Sequence, residues 1–317
     1  MKPARIALTH ASGLFAQALL EQMAIAGIAA DAVLLLDSEE QAGHRVPYAD
    51  THLVVQDQYA SDYDNLSAVL LLEADAELQS LLEHADCFVI SHHGPEELPA
   101  RYVGDVSMVA GLLEQPGRIR LVPAELATLL SVMLPLHQLH GIQAVQLVNV
   151  LSASVYGKPG VEELASQTIS LLNSQDIHSD IFPLQLAFNM IPFDAAELSA
   201  WQLSDLLGDD DIDYSVQQIL VPAFHGLAMA VTLQSEKPIE LDRQIEQWQA
   251  LPGIEVIQKV ASPLTHCNAG LKIVITGLQQ PQNDAKRLQF WIIADSIKNG
   301  LIQNYLHILD FLLKSYL

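Results

Sequence analysis

The sequence has few basic residues. It holds 15 Lys and Arg against 38 Asp and Glu, which gives a formal net charge of −23 at pH 7. Between Lys158 and Lys237 there is no Lys or Arg. A surface this acidic repels nucleic acid and anionic lipid headgroups, and a phosphate site in that stretch would have to rely on backbone N–H groups. Nucleic acid is therefore not expected as a partner.

Cysteines and long apolar runs are also scarce. The 317 residues include two cysteines, too few for a disulfide framework and in keeping with a reducing compartment. No run of about 18 uninterrupted apolar residues is present, and the first residues lack the pattern of a secretory signal. The sequence therefore predicts a cytoplasmic protein that does not span a membrane. Because 50% of its residues are hydrophobic, it can build a core in each of two domains.

The first third of the chain has the pattern of a parallel, doubly wound α/β sheet. Short apolar runs, typical of buried strands, alternate with segments of helical apolar spacing. In chain order these are a strand at 5–9, a turn at 10–16, a helix at 17–26, strands at 33–37 and 67–72, a helix at 76–83 and a strand at 86–91.

The turn at 10–16 occupies the place of a dinucleotide-binding turn. Such a turn needs glycine at three positions, for the bend, for the approach of the pyrophosphate and for helix packing. Here His10, Gly13 and Ala16 fill them, while Ser12 can cap the helix or bind a phosphate. Glutamates after the second strand would repel a 2′-phosphate, so NAD is favoured over NADP. A scaffold with an empty dinucleotide site remains the alternative.

Other candidate sites are weaker. His92 and His93 are adjacent, so they should point to opposite faces of an extended chain and not share a metal ion. His137 and His140 can meet on one helix face but lack a third ligand, and the aspartates of 209–213 lack the spacing of a calcium loop. No metal site is expected.

The two cysteines differ in their predicted surroundings. Cys87 lies in an apolar strand, which is typical of an inert, buried thiol. Cys267 lies beside His266 in a polar segment that predicts an exposed turn, so a reactive role for this thiol stays open.

Three segments carry a resemblance to a known family. They read A-F-N-M-I-P at 187–192, V-P-A-F-H-G at 221–226 and F-W-I-I-A-D-S-I-K-N-G at 290–300. In this order and spacing they resemble segments of the aspartate-semialdehyde dehydrogenase superfamily, and with the βαβ start the likeness covers almost the whole chain. More narrowly, the sequence is similar to the divergent Usg-type branch, here without the catalytic cysteine.

The resemblance implies a two-domain α/β homodimer of a family of oxidoreductases in amino-acid biosynthesis. A Rossmann-like NAD-binding domain at 1–126 would be completed by a C-terminal helix at 296–317, and a mixed α/β dimerisation domain would span 127–295. The C-terminal helix carries an apolar stripe. Its first residues would face the cofactor, so Gly300 joins Ser12, Gly13 and Ala16 as candidate cofactor-binding residues.

The family's catalytic residues are not matched in this sequence. Glu125, in a segment with the pattern of a strand entering a helix, stands at the position of the nucleophilic cysteine. The family's orienting glutamine corresponds to Leu151, its substrate-binding arginine to Leu220 and its histidine to Leu227. A shift of two residues would make His225 the base. A carboxylate cannot form the thiohemiacetal that precedes hydride transfer.

These replacements predict a pseudoenzyme that serves as a scaffold, a regulatory subunit or a ligand sensor. Two alternatives remain. One is an NAD-dependent oxidoreductase that uses Glu125 as acid or base on the aldehyde of a semialdehyde. The other is a nucleotide-binding module without turnover.

Overall fold

A computed structural model describes residues 5–63, 66–93, 98, 100–101, 116–193, 203–207, 211–267, 272–295 and 299–316. The chain divides into two compact units, each with its own sheet. The first unit comprises Met1–Pro123 and Leu301–Leu317, and the second comprises Ala124–Gly300. Within the described residues, no helix combines the length and the apolar character that a bilayer crossing requires.

The described part of the first unit has eight strands: β1 (Ile6–Leu8), β2 (Val33–Asp37), β3 (Arg45–Tyr48), β4 (Thr51–Asp57), β5 (Ala68–Leu71), β6 (Phe88–Ser91), β7 (Ala100–Arg101) and β8 (Arg118–Leu121). They form one sheet in the order β3-β4-β2-β1-β5-β6-β8-β7. All neighbours are parallel except β3 and β4. Every residue of β1, β2, β5 and β6 is buried, as uninterrupted apolar strands predict. The predicted parallel sheet is confirmed.

Three helices lie in the described part of this unit: α1 (Leu14–Ile25), α2 (Ala76–Leu81) and the last helix of the chain, α8 (Leu301–Tyr316). The apolar stripe on α8 is confirmed and packs against α1. Residues 296–298, where this helix was predicted to begin, lie outside the described ranges. The stripe is at most 1% exposed at Leu301, Tyr305, Ile308, Leu309 and Leu312.

The second unit is built on a mixed sheet. Its described strands are β9 (Ile142–Leu151), β10 (Ile191–Phe193), β11 (Asp213–Leu220), β12 (Leu227–Ser235), β13 (Ile254–Val256), β14 (Ile273–Gln279) and β15 (Arg287–Ala294). They are ordered β10-β11-β9-β12-β15-β14-β13. The pairs β9–β11 and β13–β14 are parallel and the others antiparallel. Its described helices are α3 (Ala124–His140), α4 (Gly157–Leu172), α5 (Leu203–Leu207), α6 (Leu241–Gln249) and α7 (Pro263–His266).

The two faces of this sheet differ because its strands alternate. On β12, residues from Leu227 to Ser235 are buried and half-buried in turn. The buried side chains face helices α3 and α6, where Trp248 of α6 is fully buried and donates its indole N–H to the carbonyl of Val132 at 2.9 Å. The opposite face is more open, since Val148 is 38% and Trp291 42% exposed.

Candidate functional site

Glu125 lies in the first turn of α3. Strand β8 ends at Leu121 and the helix begins at Ala124, so the predicted strand-to-helix layout is confirmed. The glutamate is half-buried. The exposed N–H groups of a helix N-terminus carry partial positive charge, which stabilises a carboxylate in the first turn. Glu125 therefore has a structural role available to it, the stabilisation of this helix end.

The backbone of Gly300 abuts the same turn of α3. Its φ is +67°, and a Cβ at this position would lie 2.7 Å from the carbonyl carbon of Ala127 and 2.8 Å from Oγ1 of Thr128. Just before it, the side chain of Asn299 accepts a hydrogen bond from the backbone N–H of Asp295 at 2.6 Å. This close approach requires a glycine, which explains Gly300 by packing. The role of Gly300 in cofactor binding stays a prediction.

Three leucines at the predicted catalytic positions form one row across the sheet. Leu220 on β11 and Leu227 on β12 are both cross-strand partners of Leu151 on β9. Each is at most 2% exposed. The three strands contain no Lys or Arg along their lengths. The row is therefore a buried apolar part of the sheet, and its three side chains include no cation or proton carrier.

His225 does not extend this row. It is exposed and lies in the loop that precedes β12. This loop is tied to the segment after β9, because the backbone N–H of Ala153 donates to the carbonyl of Ala223 at 2.8 Å, and that of Ser154 to Phe224 at 3.1 Å. The role of His225 as a base stays a prediction.

Both thiols are inside apolar clusters. Cys87 is 2% and Cys267 is 1% exposed, and burial raises the pKa of each to about 11. The predicted exposed turn at Cys267 is wrong. Its Sγ packs against Val274 and Ile293 and lies 3.4 Å from the carbonyl oxygen of Ile293. The sequence signal that could have shown this was the pair of apolar strands that follow, β14 and β15.

In the predicted dinucleotide turn, backbone N–H groups already donate hydrogen bonds within the protein. The N–H of Ser12 donates to Oδ2 of Asp37 at 2.8 Å, and the N–H of Ser38 donates to Oδ1 of the same carboxylate at 2.7 Å. Gly13 is the N-cap residue of α1, and no side chain caps this helix. Ala16 is buried, 1% exposed, within α1. The structure thus brings Ser12, Gly13 and Ala16 to the start of one helix, with a carboxylate bonded to the turn.

Sequence reasoning missed two further carboxylates at this turn, from the loop after β5. A Cβ on Gly13 would lie 2.7 Å from Oε1 of Glu73. Asp75 lies 3.3 Å from Nε2 of His10. Burial raises the pKa of Asp75, but hydrogen bonds from the Leu78 N–H and the Tyr59 hydroxyl outweigh it and leave this pKa below its ordinary value.

His92 and His93 lie side by side, with ring centroids 3.9 Å apart. The prediction that they point to opposite faces is wrong, because β6 ends at Ser91 and the alternation of a strand does not continue beyond it. Nδ1 of His92 lies 3.0 Å from the hydroxyl of Tyr305. Desolvation, with the neighbouring His93, holds the pKa of His92 well below its usual value. Among the described residues, no group of three His, Cys, Asp or Glu could hold a metal ion.

Comparisons with known proteins give consistent results. Residues 133–298 match a family described as semialdehyde dehydrogenase, dimerisation domain. The chain is 28% identical to the USG-1 protein homolog of Pseudomonas aeruginosa, over 100% of this chain and 99% of the other. It is 24% identical to aspartate-semialdehyde dehydrogenase 2 of Vibrio cholerae, over 98% of each.

Solved structures share the fold over the full length. A probable aspartate-semialdehyde dehydrogenase from Pseudomonas aeruginosa is similar with a TM-score of 0.87 and 25% identity, covering 100% of both chains. Aspartate semialdehyde dehydrogenase II from Vibrio cholerae, complexed with ASA, is similar with a TM-score of 0.89 and 22% identity, again covering 100% of both.

Proposed function

The chain belongs to the semialdehyde dehydrogenase family, and from that premise we propose that it does not carry out the family's thiol-dependent dehydrogenation. Its function is that of a non-catalytic homodimer, acting as a scaffold, a regulatory subunit or a ligand sensor. Fold and activity are separable in this way because an activity depends on a few site residues that the fold tolerates losing.

The observation that supports this proposal most strongly is the burial of the two cysteines, which raises the pKa of both thiols. The family reaction begins with the attack of a thiolate on an aldehyde. Cys87 and Cys267 are the only thiols in the chain, and both are buried with pKa values raised to about 11. At pH 7 to 8 such thiols are almost entirely protonated and out of contact with solvent, so neither supplies a nucleophile.

The surroundings of Glu125 support the same conclusion. A negative side chain in the first turn of α3 repels an anionic substrate and cannot form a thioester. On the strands of the leucine row there is no Lys or Arg to bind a substrate carboxylate or phosphate. The predicted matches for the family's cysteine, histidine and arginine, Glu125, Leu227 and Leu220, thus supply no thiolate, imidazole or cation.

The homodimer is supported by the open face of the second unit's sheet. Val148 on β9 and Trp291 on β15 leave large apolar side chains 38% and 42% exposed on this face. Neighbouring positions on β12, among them Ala228 and Ala230, are small. An exposed apolar face on a sheet is the kind of surface that a second subunit covers.

An assay of aldehyde-dependent reduction of NAD and NADP, with phosphate present, tests the proposal. We expect turnover at least about 10⁴-fold below the ~10 s⁻¹ of a typical enzyme. The variant Glu125→Cys should remain equally inactive, because Leu151, Leu220 and Leu227 supply neither a base nor an anion site.

The control variant is Glu125→Gln, which keeps the size of the side chain and removes its charge. It should fold and should also be inactive. Turnover by the unaltered protein that is lost in Glu125→Gln would contradict the proposal and favour an oxidoreductase in which Glu125 acts as acid or base. Turnover gained in Glu125→Cys would show that the rest of the site is intact, which also contradicts it.

A further inference from the structure

The start of α1 is the place where the family's dinucleotide cofactor would bind its pyrophosphate. A pyrophosphate at such a turn needs free backbone N–H groups at a helix N-terminus and a close approach to glycine. Each of these requirements can be compared with the residues of the described turn, His10–Gly13. Cofactor binding at this turn does not depend on a catalytic cysteine, so it lies beyond the proposed function.

The first requirement, a free donor, is not met at Ser12. Its N–H donates to Asp37 at 2.8 Å, and the carboxylate is held in place by a second bond from the N–H of Ser38 at 2.7 Å. Asp37 is 8% exposed, so it is a fixed part of the fold. A charge-assisted hydrogen bond of this kind is stronger than one between neutral groups, and a phosphate would have to displace it.

The second requirement, close approach of a pyrophosphate to glycine, is opposed at Gly13 by a nearby carboxylate. Oε1 of Glu73 lies only 2.7 Å from the point where a Cβ on Gly13 would stand. This carboxylate is the end of an exposed side chain, so it opposes a pyrophosphate at this glycine by its charge and not by fixed bulk. It places negative charge next to the N-terminus of α1, the same position that the helix dipole offers to an anion.

His10 blocks the remaining position. It occupies the first glycine position with φ at +51°, a conformation that favours glycine. Its ring is held between Thr9, 3.2 Å from Nδ1, and Asp75, 3.3 Å from Nε2. Even with this imidazole protonated, the carboxylates of Asp37, Glu73 and Asp75 leave the turn negatively charged.

We propose that this turn excludes dinucleotides and other phosphate-bearing ligands, because the negative charge of Glu73 and the side chain of His10 oppose a pyrophosphate where Asp37 already holds the N–H of Ser12. Carboxylates of the chain itself lie at the place that the N-terminus of α1 offers to an anion. Any small molecule admitted at this edge of the sheet carries no phosphate. The backbone of the turn thus follows the course of a dinucleotide site, but its carboxylates disfavour the anions that such a site binds.

Ligand-dependent thermal stability of the full-length protein tests this directly. NAD, NADP and inorganic pyrophosphate, each at up to ~10 mM, should leave the Tm unchanged within about 0.5 °C, since a ligand stabilises only the state it binds. A saturable rise in Tm with NAD or NADP would overturn the inference. That result would leave the proposed lack of thiol chemistry untouched, because binding does not require turnover.

Two variants test whether the named side chains are responsible. Glu73→Gln keeps the shape and removes the charge, and Glu73→Gln with His10→Gly also restores the first glycine. We expect the double variant to bind NAD or pyrophosphate at least about tenfold more tightly than the limit set by the unaltered protein.

The matched control is Glu83→Gln, which removes one charge from an exposed side chain of the same unit. It should behave like the unaltered protein and so separates a local effect from a change in net charge. Equal behaviour of the double variant and Glu83→Gln, with circular dichroism showing both folded, would overturn the assignment to Glu73 and His10.

Discussion

Replacement of Gly300 by alanine should lower the free energy of unfolding by about 3–5 kcal/mol, which is a large loss for a single methyl group. The methyl group would collide with backbone atoms of the first turn of α3, at 2.7 Å from the carbonyl carbon of Ala127 and closer still to the N–H of Thr128. Backbone cannot move aside as the end of a side chain can. Denaturant unfolding of Gly300→Ala against the unaltered protein measures this loss.

Gly157→Ala is the matched control. Gly157 lies in the same unit and has nearly the same φ, +66°, but its added Cβ would meet only Cδ of Pro159, at an ordinary 3.7 Å. The control carries backbone strain without the collision, because Gly157 has φ +66° and ψ −157°, a conformation that side chains disfavour. It should therefore cost less, about 1–3 kcal/mol. Equal losses in Gly300→Ala and Gly157→Ala would contradict the close packing of Gly300 on α3.

Trp248→Ala should have an effect of similar size, a loss of about 3–5 kcal/mol in the free energy of unfolding. Among the described residues, Trp248 is the largest fully buried side chain. It packs on Phe290 at 5.4 Å between ring centroids, and its N–H donates to the carbonyl of Val132 at 2.9 Å. Truncation leaves a cavity between α3, α6 and the sheet. A fall in Tm of several degrees or more should accompany it.

The control for this prediction is Trp248→Phe, which retains most of the apolar contact and removes the indole N–H. Because a single hydrogen bond contributes about 1 kcal/mol net, this variant should lose about 1–2 kcal/mol including its smaller volume. If Trp248→Ala unfolds with no greater loss than Trp248→Phe, the central packing role given to this side chain is wrong.

Much of the fold could be predicted because its signals are local. Strand β2 covers Val33–Asp37, as its apolar run predicts, and the stripe on α8 is buried at Leu301 and Tyr305 as helical spacing predicts. Periodicity reports which face of an element is apolar, and burial follows from that face. The boundaries of elements were less accurate, since helix α1 begins at Leu14, three residues before the predicted start.

The errors in the candidate site have a common physical cause. Cys267 lies in a polar segment but points into an apolar cluster formed by later strands, and Glu73 reaches the turn at Gly13 from the loop after β5. Such contacts join residues that are far apart in sequence. A local sequence pattern gives the residue types of a segment but not the distant side chains that contact it. The composition of the turn therefore suggested a weak cofactor site, whereas the structure places carboxylates around it.

The leucine row is a feature whose residue types the sequence predicts but whose arrangement it does not. The sequence resemblance predicts that Leu151, Leu220 and Leu227, each in a different segment, replace catalytic residues. Strand register, which sequence alone does not give, makes them neighbours on three adjacent strands. The apolar character of these three positions was therefore predictable, but their contact across the sheet was not.

The rate at which the two cysteines react with iodoacetamide in the folded protein at pH 8 tests the central claim most directly. With pKa values of about 11 at Cys87 and Cys267, the thiolate fraction predicts labelling at least about a hundredfold slower than for an exposed thiol, and burial slows it further. Both sites should label rapidly only in denaturant. Rapid labelling of either cysteine in the folded protein, with protection by a semialdehyde, would contradict the account.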